Sequence, residues 1–253
     1  MQNPPAGPSP ALSKTFDQVQ LCIDNLNLQE TNSAAISTNN NLLMSALPQY
    51  TQLLTVVAAK ASVLPASPAM AGIYSLSDSS QGVWNAPANM PVVSTLAPTV
   101  NLTNALQGPL NVPVDGEAID VIRSFPNRGT IVWGARTLDG NSPDWRYIQV
   151  RRTIIYIEQS IKTAINQYVF APNVAATWVS VVQMINGFLQ NLWSQGGLMG
   201  SKASDAFQVQ CGVPTTMTAQ DILDGVMIVQ VTLQMVHPAE FISLTFTQTM
   251  QGS

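Results

Sequence analysis

Residues 153–193 read TIIYIEQSIKTAINQYVFAPNVAATWVSVVQMINGFLQNLW, and this stretch decides the fold class. In its first half Ile154, Ile157, Ile161, Ile165 and Tyr168 recur at intervals of three and four residues. That spacing predicts a helix over Thr153–Val169, with Glu158, Lys162 and Asn166 off the apolar stripe. In the second half Val174, Trp178, Val181, Ile185, Phe188 and Leu192 form a second stripe, predicting a helix over Val174–Trp193. Pro172-Asn173 separates the two, and Gly196-Gly197 ends the second, because glycine accepts the left-handed conformation common at helix ends. Stripes of this kind are a core signature, so both helices are expected to bury them against other elements rather than to line a ligand box.

Upstream and downstream the period changes from helical to alternating. Ile119–Phe125 and Thr130–Leu138 read as strands joined by Pro126-Asn127-Arg128-Gly129, which has turn chemistry. After the polar loop 139–144 comes a third strand, Trp145–Val150. Beyond the helices, Ala206–Cys211 reads as a short strand and Thr218–Leu223 as a helical turn or two capped by Thr218. Val226–Val236 alternates, with Val229, Val231, Leu233 and Met235 on one face. Phe241–Met250 alternates as well, with Ile242, Leu244 and Phe246 opposite Ser243, Thr245 and Thr247. Together these segments predict an α+β fold: a mixed β-sheet containing 130–138, 145–150, 206–211 and 226–236, packed by two long amphipathic helices.

The N-terminal part differs in kind. Residues 1–12 hold four prolines and no apolar period, and read as a flexible arm. Residues 13–63 read as a helical N-terminal segment: a helical or mixed stretch to Leu28, a loop over Glu30–Asn41, then a helix over Asn41–Ser62 that Pro48 restarts or kinks. Residues 64–253 form the core domain, whose first part (64–98) is dense in Pro, Ala, Gly and Ser and reads as short turns and loops around Tyr74 and Trp84.

Composition narrows the functional classes. Only 9% of the 253 residues are charged, against about 25% in an ordinary domain, and the net charge is -4. A chain so poor in charge yet rich in Gln, Asn, Ser and Thr is expected to bury surface against partners. The ten Lys and Arg residues form no long basic run, which argues against nucleic acid. No apolar run reaches about 18 residues, so direct membrane insertion is not expected. The single histidine, His237, precedes Pro238; this removes a His-based metal cluster and leaves no ready Ser-His-Asp or Cys-His apparatus. Cys22 and Cys211 lack ligand spacing and read as buried thiols in a reducing compartment. Phosphate-binding glycine loops and metalloprotease motifs are absent, and Asp139-Gly140-Asn141 lacks the spacing of a calcium loop. No catalytic, metal or cofactor-binding residue is nominated, and no cofactor is expected.

Several segments carry a resemblance, in order along the chain. Residues 65–74, PASPAMAGIY, are followed by 82–89, GVWNAPAN. Then come Leu110-Asn111-Val112, Ile119–Arg123 and residues 129–138, GTIVWGARTL. Trp145-Arg146-Tyr147, Val150-Arg151-Arg152, Phe170-Ala171-Pro172-Asn173 before Trp178, and Pro238-Ala239-Glu240-Phe241-Ile242 complete the set. From Leu64 onward the chain resembles the C-terminal core of contractile tail sheath proteins, the outer tubes of contractile phage tails and phage-tail-like injection systems. The family's N-terminal Pro-Gly-Val-Tyr-like arm and outward-projecting domains have no counterpart in the first sixty residues, so the chain reads as a short form, either a short sheath paralogue or a truncated one that retains only the inner core.

The resemblance implies a structural subunit, not an enzyme, that stacks as hexameric rings around an inner tube and contracts. A baseplate, cap or tail-terminator protein sharing the same core is the alternative. Implied partners are further copies of the chain, an inner tube protein, and baseplate and cap proteins. Implied localisation is assembly in the bacterial cytoplasm, within a phage tail or a released or cell-anchored injection particle. In that family terminal strands complete sheets in neighbouring subunits, which assigns the inter-subunit strand here to Phe241, Ile242, Ser243, Leu244, Thr245, Phe246 and Thr247, with His237, Pro238 and Ala239 as its hinge. An intramolecular hairpin with 226–236 is the competing reading. Arg151, Arg152 and Lys162 are the candidates for the tube-facing surface, against the plainer reading of a solvated helix face.

Overall fold

The computed structural model describes residues 17–21, 23–24 and 33–244. The expected arm over residues 1–12 and most of the expected terminal strand, from Thr245 onward, lie outside these residues. The chain divides into two units, Met1–Pro65 and Ala66–Ser253.

In the first unit, residues 17–21 and 23–24 are helical, followed by α1 (Ser33–Ala46) and α2 (Pro48–Ala61). Proline opens α2 as its first residue, where the missing amide has no intrahelical acceptor to lose. Residues 33–41, expected as loop, are helical. Their Ser, Thr and Asn side chains break no helix when they point outward or back-bond to it, as the Thr38 hydroxyl does to the Ala34 carbonyl at 2.9 Å. The Tyr50 hydroxyl donates to Asn40 Oδ1 at 2.6 Å and ties α1 to α2. Among the described residues no single helix is long and apolar enough to cross a membrane.

The second unit runs α3 (Ala66–Gln81), α4 (Asn104–Asn111), β1 (Val121–Phe125), β2 (Gly129–Trp133), α5 (Ile148–Ile165), a 3-10 turn (Asn166–Tyr168), α6 (Ala175–Ser194), α7 (Ala203–Ala206), β3 (Phe207–Cys211), α8 (Ala219–Leu223) and β4 (Val229–Leu233). Residues 66–81, expected as short turns, form one helix of 16 residues. Pro68 lies within its first turn, where it removes no internal hydrogen bond.

The α+β class holds, but the single mixed sheet does not. Two separate antiparallel hairpins form instead, β1–β2 and β3–β4. Each covers its apolar face with a different helix, so nothing draws them into one sheet. The first packs Val132, with Met90 and Val92, against Ile73 of α3. The second packs Val209, Val229, Val231 and Leu233 against Val181, Ile185, Leu189 and Leu192 of α6 and Ile157 of α5. The α6 residues Val181, Ile185 and Leu189 are 0–1% exposed, and each contributes about 1.5–3 kcal/mol by burial.

The expected strand Trp145–Val150 is the clearest error. Only a single bridge, Arg136 with Tyr147, has strand character, and α5 begins at Ile148. Val150, Thr153 and Ile157 share one buried helical face, so the end of the expected strand is the first turn of the helix. Correspondingly β2 stops at Trp133 rather than Leu138. At Gly134 a Cβ would lie 2.5 Å from Asp120 Oδ1 and 2.9 Å from Asp120 Cα, so the chain there crosses another segment too closely to continue the ladder. Thr218 does cap α8, in a reciprocal capping box with Asp221.

Candidate assembly interface

A groove lies between α5 and β4. Ile154, Ile157, Ile161 and Ile165 line one wall, Val229, Val231 and Leu233 the other, and the open space is about 620 Å³. Both walls follow from the sequence periods. The isoleucines form the predicted helical stripe, and the three β4 residues form the apolar face of the predicted alternation. Glu158 and Lys162, four residues apart on α5, stand at the rim.

Among the described residues the edge of β4 beside this groove pairs with no further strand. The Gln234 amide donates to the Ala206 carbonyl at 2.8 Å, which fixes the parity of the hairpin. Residues 230 and 232 therefore exchange their main-chain bonds with 210 and 208, and the amides and carbonyls of Val229, Val231 and Leu233 point to the outer edge. The same three residues thus offer side chains to an apolar groove and main-chain groups along it. This is the geometry of strand addition, in which the backbone supplies affinity and the side-chain pockets supply register.

The segment leaving the core after β4 is held at one point. Arg136, whose side chain is 4% exposed, donates from Nη2 to Glu240 Oε2 at 2.7 Å and from Nε to Oε1 and Oε2 at 3.0 and 3.2 Å. Nη1 donates to the Gly140 carbonyl at 2.9 Å. The Tyr147 hydroxyl and the Asn111 side-chain amide also donate to Glu240, at 2.9 and 2.6 Å. Burial pushes the Glu240 carboxyl up, but these donors together outweigh it and hold the group below its ordinary value. Asp120 lies beside the clasp and accepts the Arg136 amide at 2.8 Å. Burial, aided by the Glu240 charge, drives its pKa up to about 6 against the pull of Arg136.

His237, Pro238 and Ala239 span the gap between β4 and the anchored Glu240, and the His237 ring meets Tyr147 edge-on at 5.9 Å. Phe241, Ile242, Ser243 and Leu244 follow the anchor as irregular chain, and the three apolar side chains are 75–80% exposed. Among the described residues β4 pairs with β3 and no hairpin with the terminal segment is formed. Thr245, Phe246 and Thr247 lie outside the described residues.

The three nominated cations all fall on α5 because it begins five residues before the predicted start, but they part company there. Arg152 turns inward, paired with Asp78 at 2.9 and 2.6 Å and stacked over the Tyr74 ring at 4.8 Å. Arg151 lies over the Trp145 ring at 4.9 Å. Eleven residues at about 100° each bring Arg151 and Lys162 within about 20° of one another on the exposed face. Sequence reading missed the Arg136–Glu240 clasp entirely, since its members are spread from Asn111 to Glu240; the only local signal was a carboxylate in the 238–242 segment and an arginine after Gly134. Cys211, expected buried, is half-buried with a free thiol, and Cys22 lies outside the described residues. No group of three metal-ligating side chains occurs among the described residues.

Residues 141–249 match the family model for the phage tail sheath C-terminal domain. The chain is 49% identical to a chain of the PVC extracellular contractile injection system sheath complex in its contracted state, with a TM-score of 0.68 over 71% of this chain and 50% of that one. It is 45% identical to a chain of the anti-feeding prophage helical sheath in its contracted state, TM-score 0.68, covering 74% of this chain and 51% of the other. A chain of the six-fold symmetrised anti-feeding prophage baseplate matches with the same values. The chain therefore spans about half the length of the solved chains it matches. No curated protein sequence matches it.

Proposed function

Because this chain carries the C-terminal core of the contractile tail sheath family, we propose that it is a structural subunit of a contractile sheath, stacking as hexameric rings around an inner tube. It performs no chemistry of its own and takes no cofactor. The observation that carries the reading is the open β4 edge running beside the isoleucine-lined groove of α5. A neighbouring subunit's terminal strand, residues 241–247, fits that seat in polarity and length. Its Ile242, Leu244 and Phe246 would face the isoleucines, and its backbone would bond to Val229, Val231 and Leu233. The clasp at Glu240 fixes where the strand leaves its own subunit, and the segment His237–Ala239 bends as rings move. Arg151 and Lys162 form the tube-facing pair. Baseplate and cap proteins close the ends, and the particle is assembled in the bacterial cytoplasm without nucleic acid or membrane insertion.

The test is electron microscopy of the purified chain and of a form ending at Glu240. The full chain is expected to form striated tubes or stacked rings, and the shortened form to keep its helical circular dichroism while forming none. Dispersed full-length monomers at high concentration would overturn the proposal, and tubes from the shortened form would remove the role of the strand. The likeness to a baseplate chain supports a second reading, an end protein, for which single rings that never elongate are the expected image.

A further inference from the structure

Four residues other than glycine among the described ones have positive φ, and three of them are Asn89, Ser94 and Asn127, small polar side chains that tolerate it. The fourth is Phe170, at φ 66°. The Ala171 amide donates to the Tyr168 carbonyl at 3.0 Å, and Val169 between them has φ -63° and ψ 130°. These values define a type II turn over Tyr168–Ala171, whose third position calls for glycine or asparagine. A phenylalanine stands there, strained in its backbone and 102% exposed, so it gains no packing within its own chain.

The surroundings show what such a side chain is for. Val169 and Val174 flank it at 57% and 49% exposure. The Asn173 side-chain amide donates to the Val226 carbonyl at 3.0 Å and Oδ1 accepts from Trp178 Nε1 at 2.7 Å, which brings Val226, 44% exposed, to the same tip and makes the loop rigid. No charged residue occurs between Lys162 and Lys202, and the charges nearest Val226 are the carboxylates Asp221 and Asp224, so the tip offers nothing to an anionic lipid. The tip also adjoins the groove. Asn166 and Val229 line the groove, Phe170 follows Asn166 by four residues, and Val226 precedes Val229 by three.

We propose that Phe170 is an intermolecular anchor: it packs against the apolar arm of a second copy of this chain as that arm passes the end of the α5–β4 groove. Phe241, Ile242 and Leu244, exposed beyond the Glu240 clasp, have the chemistry to receive it. The inference rests on the reading of the chain as a self-assembling sheath subunit. A buried aromatic anchor at the end of a strand seat fixes register along the groove, which main-chain bonds alone leave free to slip by two residues.

The turn chemistry makes the test discriminating. Phe170→Gly and Phe170→Asn both relieve the strained φ, so the monomer is expected to melt at the same temperature or higher. In sedimentation velocity and electron microscopy, both are expected to raise the concentration needed for assembly about tenfold or more, the scale of a lost interface anchor. An unchanged assembly threshold in both variants overturns the inference while leaving the sheath reading intact. A lower melting temperature in both also overturns it, since Phe170 would then pack within its own chain. Normal self-assembly with lost binding to a different protein overturns the choice of partner. If the unaltered chain never assembles, the sheath reading and the inference fall together.

Discussion

Asp120 and Glu240 both contact Arg136, the first through its main-chain amide and the second through its guanidinium, and they respond to pH in opposite senses. The Glu240 carboxyl is held low by its ring of donors, so its contribution to stability is present above the ordinary carboxylate value and lost as pH falls through the depressed one. Asp120 is pushed up to about 6, chiefly by burial. Its stabilising form is the protonated one, fully present below the unfolded value of 3.8 and lost as pH rises through about 6. At neutral pH its charge therefore costs the fold roughly 2–3 kcal/mol, since each tenfold change in proton affinity is worth about 1.4 kcal/mol. Asp120→Asn keeps an oxygen for the Arg136 amide and removes the charge. It is expected to raise the melting temperature at pH 7.5, with the gain fading toward zero near pH 4, as followed by thermal melts across that range. A gain of equal size at both pH values would mean that ionisation is not its source.

At the scale of elements, the β3–β4 hairpin is the part whose incompleteness matters. Isolated two-stranded ribbons are marginal in water, and this one is held by α6 on a single face. Among the described residues its outer edge is unpaired, a template for aggregation that monomeric proteins usually blunt with charge or proline, and β4 contains neither. Val231→Pro removes one outward-pointing amide, close to valine in size, without touching the bonds to β3. The monomer is expected to lose about 1 kcal/mol or less in urea unfolding, while tube formation fails. Tubes of normal length from this variant would show that β4 is not the accepting edge.

For the whole molecule, the shortage of charge separates two kinds of contact. Assembly through main-chain bonds and apolar packing has little Coulomb content, so tube length is expected to hold between low salt and about 0.5 M salt. Binding to an inner tube through Arg151 and Lys162 is expected to weaken over the same range. Reversing both, as Arg151→Glu with Lys162→Glu, is expected to reduce co-sedimentation with the inner tube, and Arg151→Glu alone, which spares the groove rim where Lys162 stands, is expected to leave empty sheath tubes intact. Arg152 is left alone in this test because its reversal would break the pair with Asp78 inside the subunit. Unchanged co-sedimentation with the double reversal would return this face to solvent.

What the sequence by itself determined is local and periodic. The isoleucine stripe of α5, the Val181–Leu192 stripe of α6, the alternation at 229, 231 and 233, and the Thr218 cap are each set by spacing within one segment. The ordered motifs from Pro65 to Ile242 likewise carried the resemblance to the sheath core, because they need no three-dimensional information to be read. Only the tertiary structure decided that Ile148–Arg152 winds into α5 instead of pairing as a strand. A short apolar run satisfies either period, and burial of Gln149, Val150 and Thr153 on one helical face settles the choice. It also decided that the strands form two hairpins, since strand partnership depends on which helix covers which face. The clasp of Arg136, Tyr147, Asn111 and Glu240 joins residues 129 positions apart, and no sequence period spans that distance. Phe170 shows the same division: its motif was visible, but its positive φ and bare side chain exist only once the turn between α5 and α6 has closed.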